Sequence, residues 1–263
     1  PTKIGRLDAD LARLTPGELI IPEGLMDDDK ISRALFDWRS IISPLNAGRF
    51  DSSFGARRLE DIFDVATLDG FASLTLADLA AAGALVDYLD DTQKGKMPRL
   101  YPPKRLSADG TMMIDAATRK SLELTRTQNG ETSGSLLSVI DTTLTGAGAR
   151  LLAKRLSAPL TDPVRINERL DAVEYMLERA GLRTDLRVAL KAAPDMERAL
   201  ARLSLGRGGP RDLMAIRVGL EAARTIEHYL TAPKGALEDM AELVADAVSD
   251  LGEHEALIHE LER

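Results

Sequence analysis

Residues 134–176 read "GSLLSVIDTTLTGAGARLLAKRLSAPLTDPVRINERLDAVEYM", and the two halves of this stretch pose different questions. In the second half Ile166, Leu170, Val173 and, just beyond, Leu177 recur at spacings of four, three and four, the stripe of an amphipathic helix. Pro163 directly after Asp162 suits the first turn of that helix. In the first half Gly146 and Gly148 run into a stretch carrying Arg150, Lys154 and Arg155, which is how many phosphate-binding loops begin. A P-loop, however, needs a Lys-Ser/Thr pair after its last glycine, and Ala149-Arg150 stands here. A dinucleotide fingerprint needs a third glycine where Leu151 stands. The preceding "SLLSVIDTTLT" fits either a strand or a short helix. The residues therefore predict a tight turn, Thr145 as N-cap, and a helix burying Leu152 and Leu156, with no nucleotide site.

Outward from this stretch toward the C-terminus the pattern is helix upon helix. "PRDLMAIRVGLEAARTIEHYL" (210–230) places Leu213, Ile216, Leu220 and Ala223 on one face behind Pro210, and Pro194 is expected just inside another helix start near Asp195. No fixed-period repeat is present, which argues against a solenoid. Residues 1–100 differ in texture. Leu7, Leu11 and Leu14 share a helical face, Pro16-Gly17 ends it, and "ELIIP" reads as a short buried strand. Leu59, Ile62 and Phe63 mark another amphipathic turn, and Ser73 or Thr75 can cap the helix "LADLAAAGALVDYL". Helix alternating with strand predicts an α/β unit with too few strands to complete its sheet, the remainder being expected before Pro1. "KGKMPRLYPPKRLSADG" (94–110), with three prolines and no helical period, reads as the linker. The expected organisation is α+β overall: a truncated α/β domain over 1–103 and a mainly α-helical domain over 104–263.

At 263 residues, with 44% hydrophobic and 29% charged side chains, the chain can bury a core in one large or two ordinary domains. It has no cysteine, which removes disulfides and thiol chemistry and fits a reducing cytoplasm. No apolar run approaches the roughly 20 residues of a membrane span. The net charge of −8 is uneven, since residues 110–230 carry +3 and residues 231–263 carry −7. The basic side chains of the middle are interleaved with acids, so they form no nucleic-acid footprint.

Catalytic and metal chemistry find little support. There are three histidines, His228, His254 and His259, and the last two are five apart, hence on different helical faces. "DDD" at 27–29 lacks the glycine and downstream glutamate of a calcium loop and reads as a helix start. No Ser/His/Asp arrangement recurs, and Trp38 reads as core rather than a stacking platform.

Three blocks resemble the central region of the MutS family of DNA mismatch-repair proteins: "MMIDAATRKSLELT" (112–125), the stretch at 134–176, and "DMERALARLSLGRGGPRDL" (195–213). Their patterns are Asp-x-x-Thr-x-x-x-Leu-Glu, Leu-Leu-x-x-x-Asp before the glycine turn, Ile-Asn-x-Arg-Leu-Asp-Ala-Val, Asp-Met-Glu-Arg and Pro-Arg-Asp-Leu. "FGARRLEDIF" (54–63) and "ALVDYLDDTQKGKMPRL" (84–100) look like the family's connector domain. The resemblance spans essentially the whole chain. It implies an RNase H-like connector lacking its first strands over 1–103 and an incomplete core/lever domain over 104–263.

The same resemblance implies what the chain does. Family members wedge a phenylalanine of a Phe-x-Glu motif beside a mispaired base, and no Phe-x-Glu occurs here. The ATPase domain with its Walker motif, and the clamp on the DNA backbone, are expected beyond Arg263. The chain is thus expected to have no catalytic, cofactor or metal residues of its own, ATP and Mg²⁺ belonging to the parent. The parent is expected to be a cytoplasmic homodimer that binds mismatched DNA and recruits MutL, with no membrane association. The expected role of this span is to couple ATPase state to DNA clamping. By position Arg49, Phe50 and Asp51 are the expected MutL contact, and Leu152, Leu156, Ile166, Leu170 and Val173 the structural core. Two alternatives are a stand-alone helical adaptor and a MutS paralogue acting in recombination.

Overall fold

The computed structural model describes residues 4–71, 73–94, 97–103, 110–232 and 239–262. The expected domain boundary after residue 103 borders residues 104–109, which lie outside the described residues. The described residues divide into two compact units. One holds the residues up to 103 together with Met113–Glu123, and the other holds 110–112 and everything from Leu124 onward.

In the first unit the elements run α1 (Ile4–Leu14), β1 (Leu19–Pro22), α2 (Asp29–Ala34), β2 (Ile42–Leu45), α3 (Ser52–Phe63), α4 (Leu76–Gln93) and α5 (Ala116–Leu122). The strands β1 and β2 pair in parallel, Leu19 opposite Ile42 through Pro22 opposite Leu45. Asp28 of the acidic triplet caps α2 by accepting the Lys30 and Ile31 N–H groups. Thr75 caps α4, accepting the Asp78 N–H while the Asp78 carboxylate accepts the Thr75 N–H in return. Helices α3 and α4 touch backbone to backbone at Gly55 and Gly83. A Cβ on Gly55 would stand 2.2 Å from the Leu79 carbonyl oxygen, and one on Gly83 would stand 2.3 Å from the Gly55 Cα. Leu59, Leu68 and Val86 form the core beside this contact, with Phe63 and Phe71 edge to face at 5.3 Å. Trp38, expected in the core, is half-buried and donates its indole N–H to Asp8 at 3.0 Å.

The second unit is helical: α6 (Leu136–Ile140), α7 (Gly146–Ser157), α8 (Pro163–Glu178), α9 (Ala180–Ala192), α10 (Met196–Ser204), α11 (Pro210–Thr231), α12 (Glu242–Leu251) and α13 (Glu255–Leu261). The ambiguous "SLLSVI" is the short helix α6, capped by the buried Ser135. Pro163 and Pro210 occupy first-turn positions as expected. Pro194 does not, because Asp195 takes the cap of α10 by accepting the Arg198 N–H and leaves the proline outside the helix.

The core of this unit corrects one expectation. Tyr175, Leu186, Leu230 and Val244 are its centre, with Ala172 and Met176 packed against them. On α8 that puts Tyr175 at 5% exposure, whereas Leu170 and Val173 of the predicted core stripe are 58% and 56% exposed, and Leu177 64%. The stripe and the buried face lie on different sides of one helix. Tyr175 offers more apolar area than any stripe residue, and α9, α11 and α12 close over its side. Ile166, Leu152 and Leu156 are half-buried, and α7 has no fully buried residue.

Candidate functional sites

The expected partner contact sits where the 3₁₀ turn Ala47–Phe50 enters α3. The turn is held by Asn46, whose side chain accepts the Gly48 N–H at 3.0 Å. Arg49 reaches α4, 3.0 Å from Asp87 and 2.6 Å from Asp91. Arg58 of α3 joins the same ladder, 3.4 Å from Asp87 and 2.8 Å from Asp90. The hydrogen bond to Asp91 is the largest influence holding the Arg49 pKa above its ordinary value. Asp51 caps α3, accepting the Phe54 N–H at 2.8 Å. Two of the three residues thus have structural tasks. The half-buried Phe50, with the exposed Phe54 ring beneath the Arg58 guanidinium, supplies the apolar part of the surface.

The glycine turn of α7 is the second site. Thr145 caps the helix, its hydroxyl accepting the Gly148 N–H at 3.0 Å. Arg150 forks onto Asp195 at 2.9 and 3.1 Å and onto Glu197 at 2.6 Å. A Cβ on Gly146 would stand 2.9 Å from the Asp195 carboxylate. The glycine therefore makes room for an anion, but the anion is the chain's own aspartate. Asp195 is held below the ordinary carboxylate range, chiefly by the Arg150 guanidinium. This turn joins α7 to α10. Farther along α10, Arg202 donates to Asp212 of α11, whose other oxygen accepts the Gly209 N–H at 3.0 Å. Asp212 is buried and its pKa is lowered, by Arg202 first and the Gly209 N–H second. The partners of Arg150 and Arg202 were not identified from sequence. Arg150 and Asp195 lie 45 residues apart, and the one hint was the recurrence of acids at helix starts, which also serves capping.

A third cluster has a different character. Arg155 at the end of α7 and Arg165 on α8 lie close enough to Arg169 of α8 for their charges to bear on it, and none of the three guanidinium groups has a hydrogen bond or ion pair with a described residue. Burial first, then the neighbouring Arg155 and Arg165, lower the Arg169 pKa. His228, His254 and His259 belong to α11, the start of α13 and α13 itself. Among the described residues no three His, Asp or Glu side chains gather as a metal site, and no helix is long and apolar enough to cross a membrane.

Comparison with known proteins matches two family models in succession along the chain, and α5 of the first unit falls almost wholly within the second match. Residues 3–101 match the model of MutS domain II, and residues 117–261 match that of MutS domain III. The DNA mismatch repair protein MutS of Rhodopseudomonas palustris (strain BisB5) is 51% identical over 241 residues, covering 92% of this chain and 26% of the relative. That of Cereibacter sphaeroides (strain ATCC 17029 / ATH 2.4.9) is 45% identical over 258 residues, covering 98% of the chain and 28% of the relative. That of Nitrobacter hamburgensis is 50% identical over 230 residues, covering 87% and 25%. The chain spans about a quarter of the length of the curated relatives it matches.

Proposed function

The chain belongs to the MutS family, and from that premise we propose that it is the central span of a mismatch-repair protein whose own work is mechanical. The observation that carries this reading is the match to domains II and III, in order and across nearly the whole chain. In the parent, a cytoplasmic homodimer, other domains bind mismatched DNA and hydrolyse ATP with Mg²⁺. The helices of the second unit pass nucleotide state to the DNA-gripping end as rigid bodies pivoting at packed contacts. The Arg150–Asp195–Glu197 and Arg202–Asp212 contacts support this, since the first ties α7 to α10 and the second α10 to α11 by directional, charge-assisted bonds. The connector-like unit recruits MutL at the turn bearing Arg49, Phe50 and Asp51.

Two measurements test the proposal. Fluorescence anisotropy on purified residues 1–263 should show mismatched and matched duplexes bound equally and weakly, with Kd at or above about 10⁻⁴ M, the weak end of non-specific binding. Sub-micromolar binding abolished by Arg150→Glu would overturn the mechanical reading. In the full-length parent, Phe50→Ala should weaken MutL binding by roughly tenfold or more, as loss of an aromatic anchor does, and leave mismatch binding unchanged. Unaltered MutL binding would remove this turn from the contact.

A further inference from the structure

Residues 126–131, "RTQNGE", form a turn on the approach to α6. The Gly130 N–H donates to the Thr127 carbonyl at 2.9 Å, and the Thr127 N–H donates to the Glu131 carbonyl at 2.8 Å. The Arg126 guanidinium donates to the Gly130 carbonyl at 2.8 Å. Gly130 has a φ of +84°, the left-handed conformation that glycine adopts without strain. Asn129 stands directly before it, exposed, and its carboxamide has no hydrogen bond with a described residue. A Cβ on Gly130 would meet nothing within 4 Å, so the space around a new bond between the two residues is open.

The chain has three asparagines, and their surroundings differ. The Asn46 side chain accepts the Gly48 N–H at 3.0 Å, and the residue after it is Ala47, whose Cβ hinders the approach of its nitrogen. Asn167 lies inside α8, where the following N–H, that of Glu168, is held in the helix ladder. Asn129 alone of the three combines an unengaged carboxamide, an exposed turn and a following glycine.

We propose that Asn129-Gly130 is a site of spontaneous backbone modification, with water as the co-reactant. The turn first opens at the Gly130 N–H, as exposed backbone hydrogen bonds do. The Gly130 nitrogen gives its proton to solvent and bonds to Asn129 Cγ. The Cγ–Nδ2 bond breaks, and ammonia leaves with a proton taken from solvent. Water then adds to either carbonyl of the resulting cyclic imide, and the C–N bond at that carbonyl breaks. Opening at Cγ gives aspartate. Opening at the main-chain carbonyl gives isoaspartate, whose backbone runs through Cγ and is one carbon longer. No atom is oxidised or reduced. Either product adds a carboxylate two residues before Glu131. In the longer backbone Thr127 cannot keep both its bonds, to Gly130 and to Glu131, and the approach to Ser135, the buried cap of α6, loosens.

The test uses the full-length parent chain, held in its native state at mildly alkaline pH and then digested at acidic pH, where the imide does not form. Peptide mass spectrometry follows the exchange of amide for carboxylate, and an isoaspartate methyltransferase marks the longer backbone. Position 129 should convert at least about tenfold faster than positions 46 and 167, a barrier difference near 1.4 kcal/mol, and its peptide should carry isoaspartate. Asn129→Gln should remove isoaspartate from that peptide, because the longer side chain closes a larger ring. Hydrogen exchange across residues 127–131 should be faster in the aged protein than in the fresh one. An intact Asn129, equal conversion at the three asparagines, aspartate without isoaspartate as direct hydrolysis would give, or unchanged exchange across 127–131 would each overturn the proposal.

Discussion

At the scale of single residues, the chain stabilises its helix joints with carboxylates held against guanidinium groups. Asp195 and Asp212 are both held below the ordinary aspartate range by Arg150 and Arg202 respectively. A carboxylate whose folded pKa is depressed contributes stability that is fully present above its unfolded pKa, near 4, and is lost as pH falls through the lower folded value. The second unit should therefore lose stability as pH falls below about 4, and Asp195→Asn and Asp212→Asn should each lower the melting temperature at neutral pH while flattening that acid limb. Melting temperatures of residues 1–263 across this pH range check it, and parallel curves for the parent and Asn forms would count against the assignment. At this scale Thr145 was legible as a cap, Thr75 as one of two candidates with Ser73, and the acidic triplet at 27–29 only as a helix start. Thr145, Thr75 and Asp28 sit before helical periods with a side-chain oxygen in reach of an orphan N–H. The guanidinium partners were not legible, because arginine's long side chain pairs across elements that only the folded chain brings together.

At the scale of elements, periodicity identified α8 but not the side that the chain buries. An apolar stripe states that a face avoids water, and it does not state which neighbour covers it. Substitutions separate the two sides. In residues 1–263, Tyr175→Ala should cost about 3–5 kcal/mol, the range for emptying a buried aromatic site, while Leu170→Asp, at 58% exposure, should cost under about 0.5 kcal/mol. Chemical denaturation of both variants decides it, and comparable losses would return the stripe to the core. In the first unit the close approach of α3 and α4 depends on a side-chain-free crossing. Gly55→Ala must displace backbone at the Leu79 carbonyl rather than a yielding side chain, so it should destabilise by at least about 1–3 kcal/mol. A neutral Gly55→Ala would show that the helices separate without penalty. Neither glycine is marked in sequence, since "FGARRLEDIF" and "AAAGALVDYL" read as ordinary amphipathic and alanine-rich helices.

At the scale of the molecule, the arrangement is one of joints rather than pockets of chemistry. The glycine turn that resembled a phosphate loop closes on Asp195, and Arg150 is committed to Asp195 and Glu197. In the proposed parent this joint lies on the route between nucleotide and DNA, so loosening it should affect communication more than either binding event. The most direct measurement is stopped-flow release of a mismatched duplex on ATP addition, comparing the full-length parent with its Arg150→Ala form. Duplex affinity without nucleotide and basal ATP hydrolysis should stay within about twofold, while ATP-triggered release should slow by about tenfold, the effect of a coupling loss near 1.4 kcal/mol. Unchanged release kinetics, or a collapse of duplex affinity in the absence of ATP, would contradict it.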